Sequence, residues 1–148
     1  MSSIIFEALN LTIPVVPVAQ PRQRHAIRGG HSVNYTPTDS PVNAYKAAVM
    51  TAAGQAVTTP SAGPLVVTFR FYLPRPQSLM KRKSPPEAIP HTSKPDLDNL
   101  IKSTADCLSG ILWVDDRQIY SYANSGKWYA ERDGQARVEI TTRQEDRT

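Results

Sequence analysis

The sequence predicts an α/β domain of the α+β type, a small mixed sheet of about four strands with two main helices packed on it. Three observations carry this expectation. Apolar residues alternate with a period of two in short stretches near the N-terminus, in the middle and in the last third of the chain. Two longer stretches repeat their apolar residues at helical spacing, and the 13 prolines cluster mostly between these stretches. At 148 residues the chain has the length of a single domain with one core, residues 1–148, and is too short for a nucleotide-binding module plus a separate substrate domain.

Leu9, Leu11 and Ile13 alternate with Asn10 and Thr12, which predicts a strand ending at Pro14. The following "VVPVAQPRQRHAIRGGHSVNYTP" loses all periodicity and reads as a basic, flexible loop over about 14–38. Ser40 and Pro41 resemble an N-cap and a first helical position, and Val42, Tyr45, Val49, Ala52 and Ala53 share one face of a helix over 41–56. "PLVVTFRFYL" reads as a strand with Val67, Phe69, Phe71 and Leu73 pointing one way and Thr68 and Arg70 the other. Residues 74–95, rich in proline and lysine, are expected to run over the surface as a long loop. A second helix follows, its apolar arc formed by Leu97, Leu100, Ile101, Thr104, Ala105 and Leu108, with Asp98, Asn99, Lys102, Ser103 and Asp106 opposite. Gly110 is its natural stop. Finally, "RQIYSYANSGKWYA" and "ARVEITT" read as two strands joined at the Arg132-Asp133-Gly134 turn.

Lys and Arg number 17 against 13 Asp and Glu, a balance that suits a polyanionic partner. The single cysteine, Cys107, excludes an internal disulfide and a cysteine-based zinc site, and fits a reducing cytoplasm. No apolar run approaches a membrane span, and "MSSIIFEALN" lacks the regions of a signal peptide, so a soluble cytoplasmic protein is expected. There is no G-x-S-x-G, P-loop or Rossmann glycine pattern, hence no support for a serine hydrolase, a P-loop NTPase or a nucleotide cofactor.

The chemistry concentrates in "KPDLDNLIK", residues 94–102. Asp96 and Asp98 fall at the mouth of the second helix and Lys102 one turn beyond Asp98. Acids are common there for structural reasons: Asp96 could cap the helix, and Asp98 with Lys102 could be a solvated ion pair worth a few tenths of a kcal/mol. Asp115-Asp116 shifts the balance, because the chain returns past the helix before the next strand. If that strand lies beside the helix start, Asp96, Asp98 and one of Asp115 or Asp116 make an all-oxygen cluster of the kind Mg²⁺ or Mn²⁺ selects. An acidic metal site in a basic chain suits phosphodiester hydrolysis, with Lys102 offsetting charge on the phosphate.

The ordered pattern D-x-D-N-x-x-K-x-x-x-D at 96–106, followed by Trp113 and by Asp115-Asp116-Arg117-Gln118, resembles the RusA family of Holliday junction resolvases, found in bacteria, phages and prophages. The likeness is densest over about 94–124, with weaker support from the N-terminal strand, the loop ending near "YTP" and the helix at 41–56. It implies a homodimeric, Mg²⁺-dependent endonuclease that cuts four-way DNA junctions by paired symmetric nicks, with Mn²⁺ as a substitute ion. Its metal-binding aspartates fall on Asp96, Asp98 and Asp116, with Asp115 in reserve, and its catalytic lysine on Lys102. The loop over 74–95 departs from the shortest members, so junction contacts there do not transfer residue by residue.

Beside this pattern, the basic groups Arg22, Arg24 and Arg28, and Lys81, Arg82, Lys83 and Lys94, are expected to meet phosphates. His25, His31 and His91 lack metal-ligand spacing and read as exposed loop histidines. Trp113 and Trp128 read as core or interface anchors, and Cys107 suggests no chemistry. Two other classes remain to compare: a non-catalytic module that binds branched DNA, and a D-x-D glycosyltransferase, for which the chain offers no room.

Overall fold

The computed structural model describes residues 4–21, 24–35 and 40–147. In chain order it comprises β1 (Ile4–Ile13), β2 (Arg24–Arg28), β3 (His31–Tyr35), α1 (Pro41–Ala56), β4 (Leu65–Leu73), β5 (Ile89–Pro90), α2 (Leu97–Leu108), β6 (Ile119–Ser121), β7 (Gly126–Tyr129) and β8 (Arg137–Arg147). Strand β4 is the centre. It belongs to a six-stranded sheet of order β1-β8-β4-β7-β5, with β6 also paired to β4. Strand β8 runs antiparallel to both β1 and β4, whereas β6 and β7 run parallel to β4. A parallel pair needs a crossover, and α2 supplies it. The fold is the expected α+β, with a mixed sheet of six strands rather than about four.

A strand flanked on both edges must bury most of its residues, and β4 does: Leu65, Val67, Phe69, Phe71 and Leu73 face the core, and Thr68 and Tyr72 on the other face are buried too. The core joins these side chains to Ile13, Val138 and Ile140 of the neighbouring strands, to Tyr45, Val49 and Ala53 of α1, and to Leu100, Ala105 and Leu108 of α2. The two helices meet through the Tyr45 and Thr104 hydroxyls, 2.7 Å apart. Because Thr104 gives its proton to Leu100 O, Tyr45 is the donor, and burial raises its hydroxyl pKa and keeps that proton in place.

The opposite sheet face carries a stack of alternating charge and aromatic ring. Arg70 lies 4.4 Å from the Trp128 ring centre, Trp128 stacks on Tyr72, and Arg137 lies 3.7 Å from Tyr72 while bonding Glu131 and Glu139. The Trp128 indole lies over Gly126, where a Cβ would come within 2.6 Å of the ring, so this position needs glycine. Trp128 is thus an anchor of that face.

Several expectations fail for identifiable reasons. The stretch over 14–38 is not a featureless loop, because β2 and β3 form a two-stranded hairpin within it. Arg28 pairs with His31 across Gly29 and Gly30, whose φ values of 59° and 79° suit a tight two-residue turn. Strands β7 and β8 flank a turn at Gly134, but they do not pair: β4 lies between them. The predicted single strand over 117–130 is two, β6 and β7, separated by a turn with Asn124 at φ 57°.

Candidate active site

The chain approaches α2 under constraint. Strand β5 pairs with β7, Ile89 opposite Tyr129 and Pro90 opposite Trp128. His91 N–H then donates to Lys127 O at 3.2 Å, and Lys127 Nζ donates to Ser93 O at 2.5 Å and to Pro95 O at 2.6 Å. The Lys94–Pro95 peptide bond is cis. His91, expected in an exposed loop, is 7% exposed and lies against Tyr129. Burial and the Lys127 charge lower its pKa.

Asp96 holds the N-cap position of α2, and its carbonyl accepts from Leu100 N–H at 3.1 Å, but its carboxylate makes no capping bond. Asp98 is exposed, and the contact of its Oδ1 is with the adjacent Asn99 N–H at 3.0 Å. Lys102 is exposed and forms no ion pair with Asp98; the ion pairs among the described residues are Arg117–Asp115, Arg137–Glu131 and Arg137–Glu139. Neither structural role open to these acids is taken up. On the other side of the helix start, Gln20 N–H donates to Asn99 O at 3.0 Å and Ser103 Oγ donates to Val18 O at 2.6 Å. This covering segment buries Ser103, which the helical projection had placed on the open side. A cleft of about 700 Å³ opens there, lined by Ala19, Gln20, Lys94, Pro95, Asp96 and Asn99.

The Asp115-Asp116 pair is built differently. Asp115 Oδ1 accepts from Arg117 N–H at 2.9 Å while Gln118 Oε1 accepts from Asp115 N–H at 2.7 Å, a reciprocal box that starts a 3-10 turn over Asp116–Gln118. Gln118 Nε2 also donates to Ser61 O and Gly63 O, at 2.9 and 3.0 Å, tying the turn to the approach to β4. Asp116 Oδ1 accepts from the indole N–H of the fully buried Trp113 at 2.6 Å. Burial first, then the negative charges of Asp116 and Asp106, raise the Tyr122 hydroxyl pKa, and burial pushes the Cys107 thiol to about 11. Asp116 therefore stands with Asp106 and Tyr122 beside the second half of α2.

The two acidic stations are set toward opposite ends of β4: Ile119 and Ser121, just after Asp116, pair with Leu65 and Val66, whereas Lys127, which holds Pro95, lies opposite Phe71. Among the described residues no three His, Cys, Asp or Glu side chains gather closely enough to hold a metal ion. Among the described residues, the strand that follows Asp116 pairs at the Leu65 end of β4, away from the Phe71 end to which Lys127 ties Pro95.

Lys81, Arg82, Lys83 and Lys94 are exposed. The loop that carries the first three is ordered by two arginines. Arg75 donates to the carbonyls of Leu79, Pro85, Glu87 and Ala130, and Arg132 to those of Lys81, Arg82 and Ser84. Sequence reasoning missed both, because their partners are main-chain oxygens. Arg24 and Arg28 lie in β2, their side chains outside the described residues, as is Arg22 altogether. No helix among the described residues is long and apolar enough to cross a membrane.

A Bacillus subtilis (strain 168) protein described as uncharacterized protein YqaN is 31% identical over 144 residues, 93% of this chain and 97% of that protein. The family model for endodeoxyribonuclease RusA matches residues 14–142, a span that holds α1, α2, the central strand and every candidate acid. The chain belongs to the RusA family of endodeoxyribonucleases, divalent-metal-dependent Holliday junction resolvases that act on branched DNA.

Proposed function

We propose that residues 1–148 act as one RusA-like endonuclease domain in which Asp96 and Asp98 hold Mg²⁺, with Mn²⁺ as a substitute, and that the homodimer resolves four-way junctions by paired symmetric nicks. The observation that carries this reading is the state of the two carboxylates at the start of α2: Asp96 makes no capping bond, Asp98 accepts only from the adjacent Asn99 N–H through one oxygen, and neither forms an ion pair with Lys102. Their oxygens suit a hard cation. Mg²⁺ takes one or two carboxylates and completes its shell with water and phosphate oxygens, so the pair needs no preassembled cage. The bound ion supplies an activated water and offsets charge on the leaving oxygen.

Asp116, whose Oδ1 accepts from the Trp113 indole N–H, is the third carboxylate of this proposal, and since the three acids do not gather in the free chain it would join Asp96 and Asp98 only with ion and junction bound. Asp115 remains in reserve, and its commitment to Arg117 N–H favours Asp116. Lys102, one turn after Asp98, carries its ammonium to the phosphate. Arg22, Arg24, Arg28, Lys81, Arg82, Lys83 and Lys94 contact the DNA backbone. The setting is the cytoplasm of a bacterium, in recombination and repair or in the processing of phage or prophage DNA.

The test is cleavage of a synthetic four-way junction with Mg²⁺ by wild type, Asp98→Asn and Lys102→Ala. Both variants are expected to lose cleavage by about 10³-fold while binding the junction as wild type does without metal. Full cleavage by Asp98→Asn overturns the assignment. Binding without cleavage by the wild type would leave a branched-DNA-binding module instead. Light scattering of the junction complex checks the dimer.

A further inference from the structure

From the way α2 is entered, we infer that Lys127 is a positioning residue for the D-x-D turn. The inference rests on the placement of the cation at Asp96 and Asp98 proposed above. Lys127 sits on β7, on the core-facing side opposite Phe71, where a lysine has no packing reason to be. Its ammonium is committed to main-chain oxygens: Ser93 O at 2.5 Å and Pro95 O at 2.6 Å. Charge-assisted bonds of this length fix the position of the atoms they join. Pro95 O belongs to the peptide group that leads into Asp96, so the second bond ends one residue before the first acid.

The main chain of the same residue holds the other end of the segment, since Lys127 O accepts from His91 N–H. One residue of a sheet strand thus grips residues 91 to 95 at both ends. That grip is needed because the start of α2 receives no support from its own cap: Asp96 occupies the N-cap position without a capping bond. A carboxylate that caps its helix is held by the helix. One kept free for a cation must be held by its backbone, and Lys127 is what reaches that backbone from the sheet. Sites carried on rigid elements keep their geometry better than sites on loops, and the sheet is the rigid element here.

The test pairs kinetics with a readout that needs no metal. In Lys127→Met, amide hydrogen exchange of Leu100, whose N–H bonds Asp96 O, is expected to quicken about 10-fold, while amides of β8 keep their protection. On junction DNA with Mg²⁺, kcat falls about 100-fold and KM stays near wild type, the signature of a displaced group rather than of lost DNA contact. Lys127→Arg, whose fork can reach both carbonyls, restores Leu100 protection and most of kcat. Unchanged Leu100 exchange in Lys127→Met overturns the inference, as does a loss that Lys127→Arg does not rescue. If Lys127→Met does not fold, Lys127→Gln, with a neutral donor on a shorter side chain, takes its place under the same criteria. Should the wild type fail to cut junctions, the reading of Asp96 and Asp98 has failed, and Leu100 exchange still decides whether Lys127 holds the turn.

Discussion

Asp96 and Asp115 both occupy the N-cap position of a helical turn, with similar ψ of 144° and 140° but φ of −71° and −151°. Asp115 spends its carboxylate on the turn, accepting from Arg117 N–H, and its own N–H is answered by Gln118. Asp96 spends nothing. The backbone φ and the neighbouring sequence both differ. Gln118 stands three residues after Asp115 and completes a capping box, whereas the corresponding position after Asp96 is Asn99, and no capping box forms there. The same residue type at the same structural position is thus a fastening in one place and carries no capping bond in the other.

This contrast can be broken by substitution. The largest effect is expected at the start of α2: Asp96→Asn should lower junction cleavage by about 10³-fold, yet shift stability by less than about 0.5 kcal/mol, since no capping bond is lost. Cleavage assays and urea melts on one preparation measure both. Trp113→Phe comes next, because it leaves space in a fully buried site and removes the donor to Asp116; about 2–3 kcal/mol of stability should go, with cleavage reduced as well. Asp115→Ala should show the reverse of Asp96→Asn, a loss of about 1 kcal/mol with activity kept within a few fold. Equal behaviour of Asp96→Asn and Asp115→Ala would dissolve the distinction.

Two smaller effects concern buried groups near each station. His91 has a lowered pKa in the folded chain, so the unfolded chain takes up the proton more readily. Its contribution is complete above the unfolded value of about 6.5 and is lost as pH falls below it toward the folded value. Denaturation midpoints between pH 5 and 8 should decline more for wild type than for His91→Phe. Cys107, with its thiol near 11 and 8% exposed, should resist iodoacetamide at pH 8 in the native state and react on unfolding. Mass spectrometry measures the difference.

The elements with strong periodicity were readable in advance. Helix α1 has the predicted bounds and buries the predicted Val42, Tyr45, Val49 and Ala53, and α2 ends at Leu108 with Ser109 as its C-cap and Gly110 beyond it at φ 88°. Strand β4 was readable because its apolar run is long. Pairing was not: the Asp-Gly turn at 133–134 suggested a hairpin, but which strand enters between two others depends on distant contacts, and β4 took that place. The hairpin β2–β3 has little apolar residue content and hid its one clear signal, the Gly29-Gly30 pair, inside a basic stretch. At the site, Asp96, Asp98 and Lys102 could be named from the sequence because D-x-D-N-x-x-K is a local, ordered pattern, while their role at an ion is the proposal above. Lys127, Arg75 and Arg132 were not, because they act on carbonyl oxygens, and every residue carries one.

Arg75 and Arg132 give the loop between β4 and β5 an interior made of guanidinium and carbonyl rather than hydrocarbon. Its shape is then independent of the DNA that its outer lysines are proposed to meet. A segment already ordered before contact loses little conformational entropy on binding. The same Lys81, Arg82 and Lys83 on a slack loop would have to be arranged anew at each encounter; on this one they arrive as a fixed set of charges, spaced by the protein before any phosphate is near.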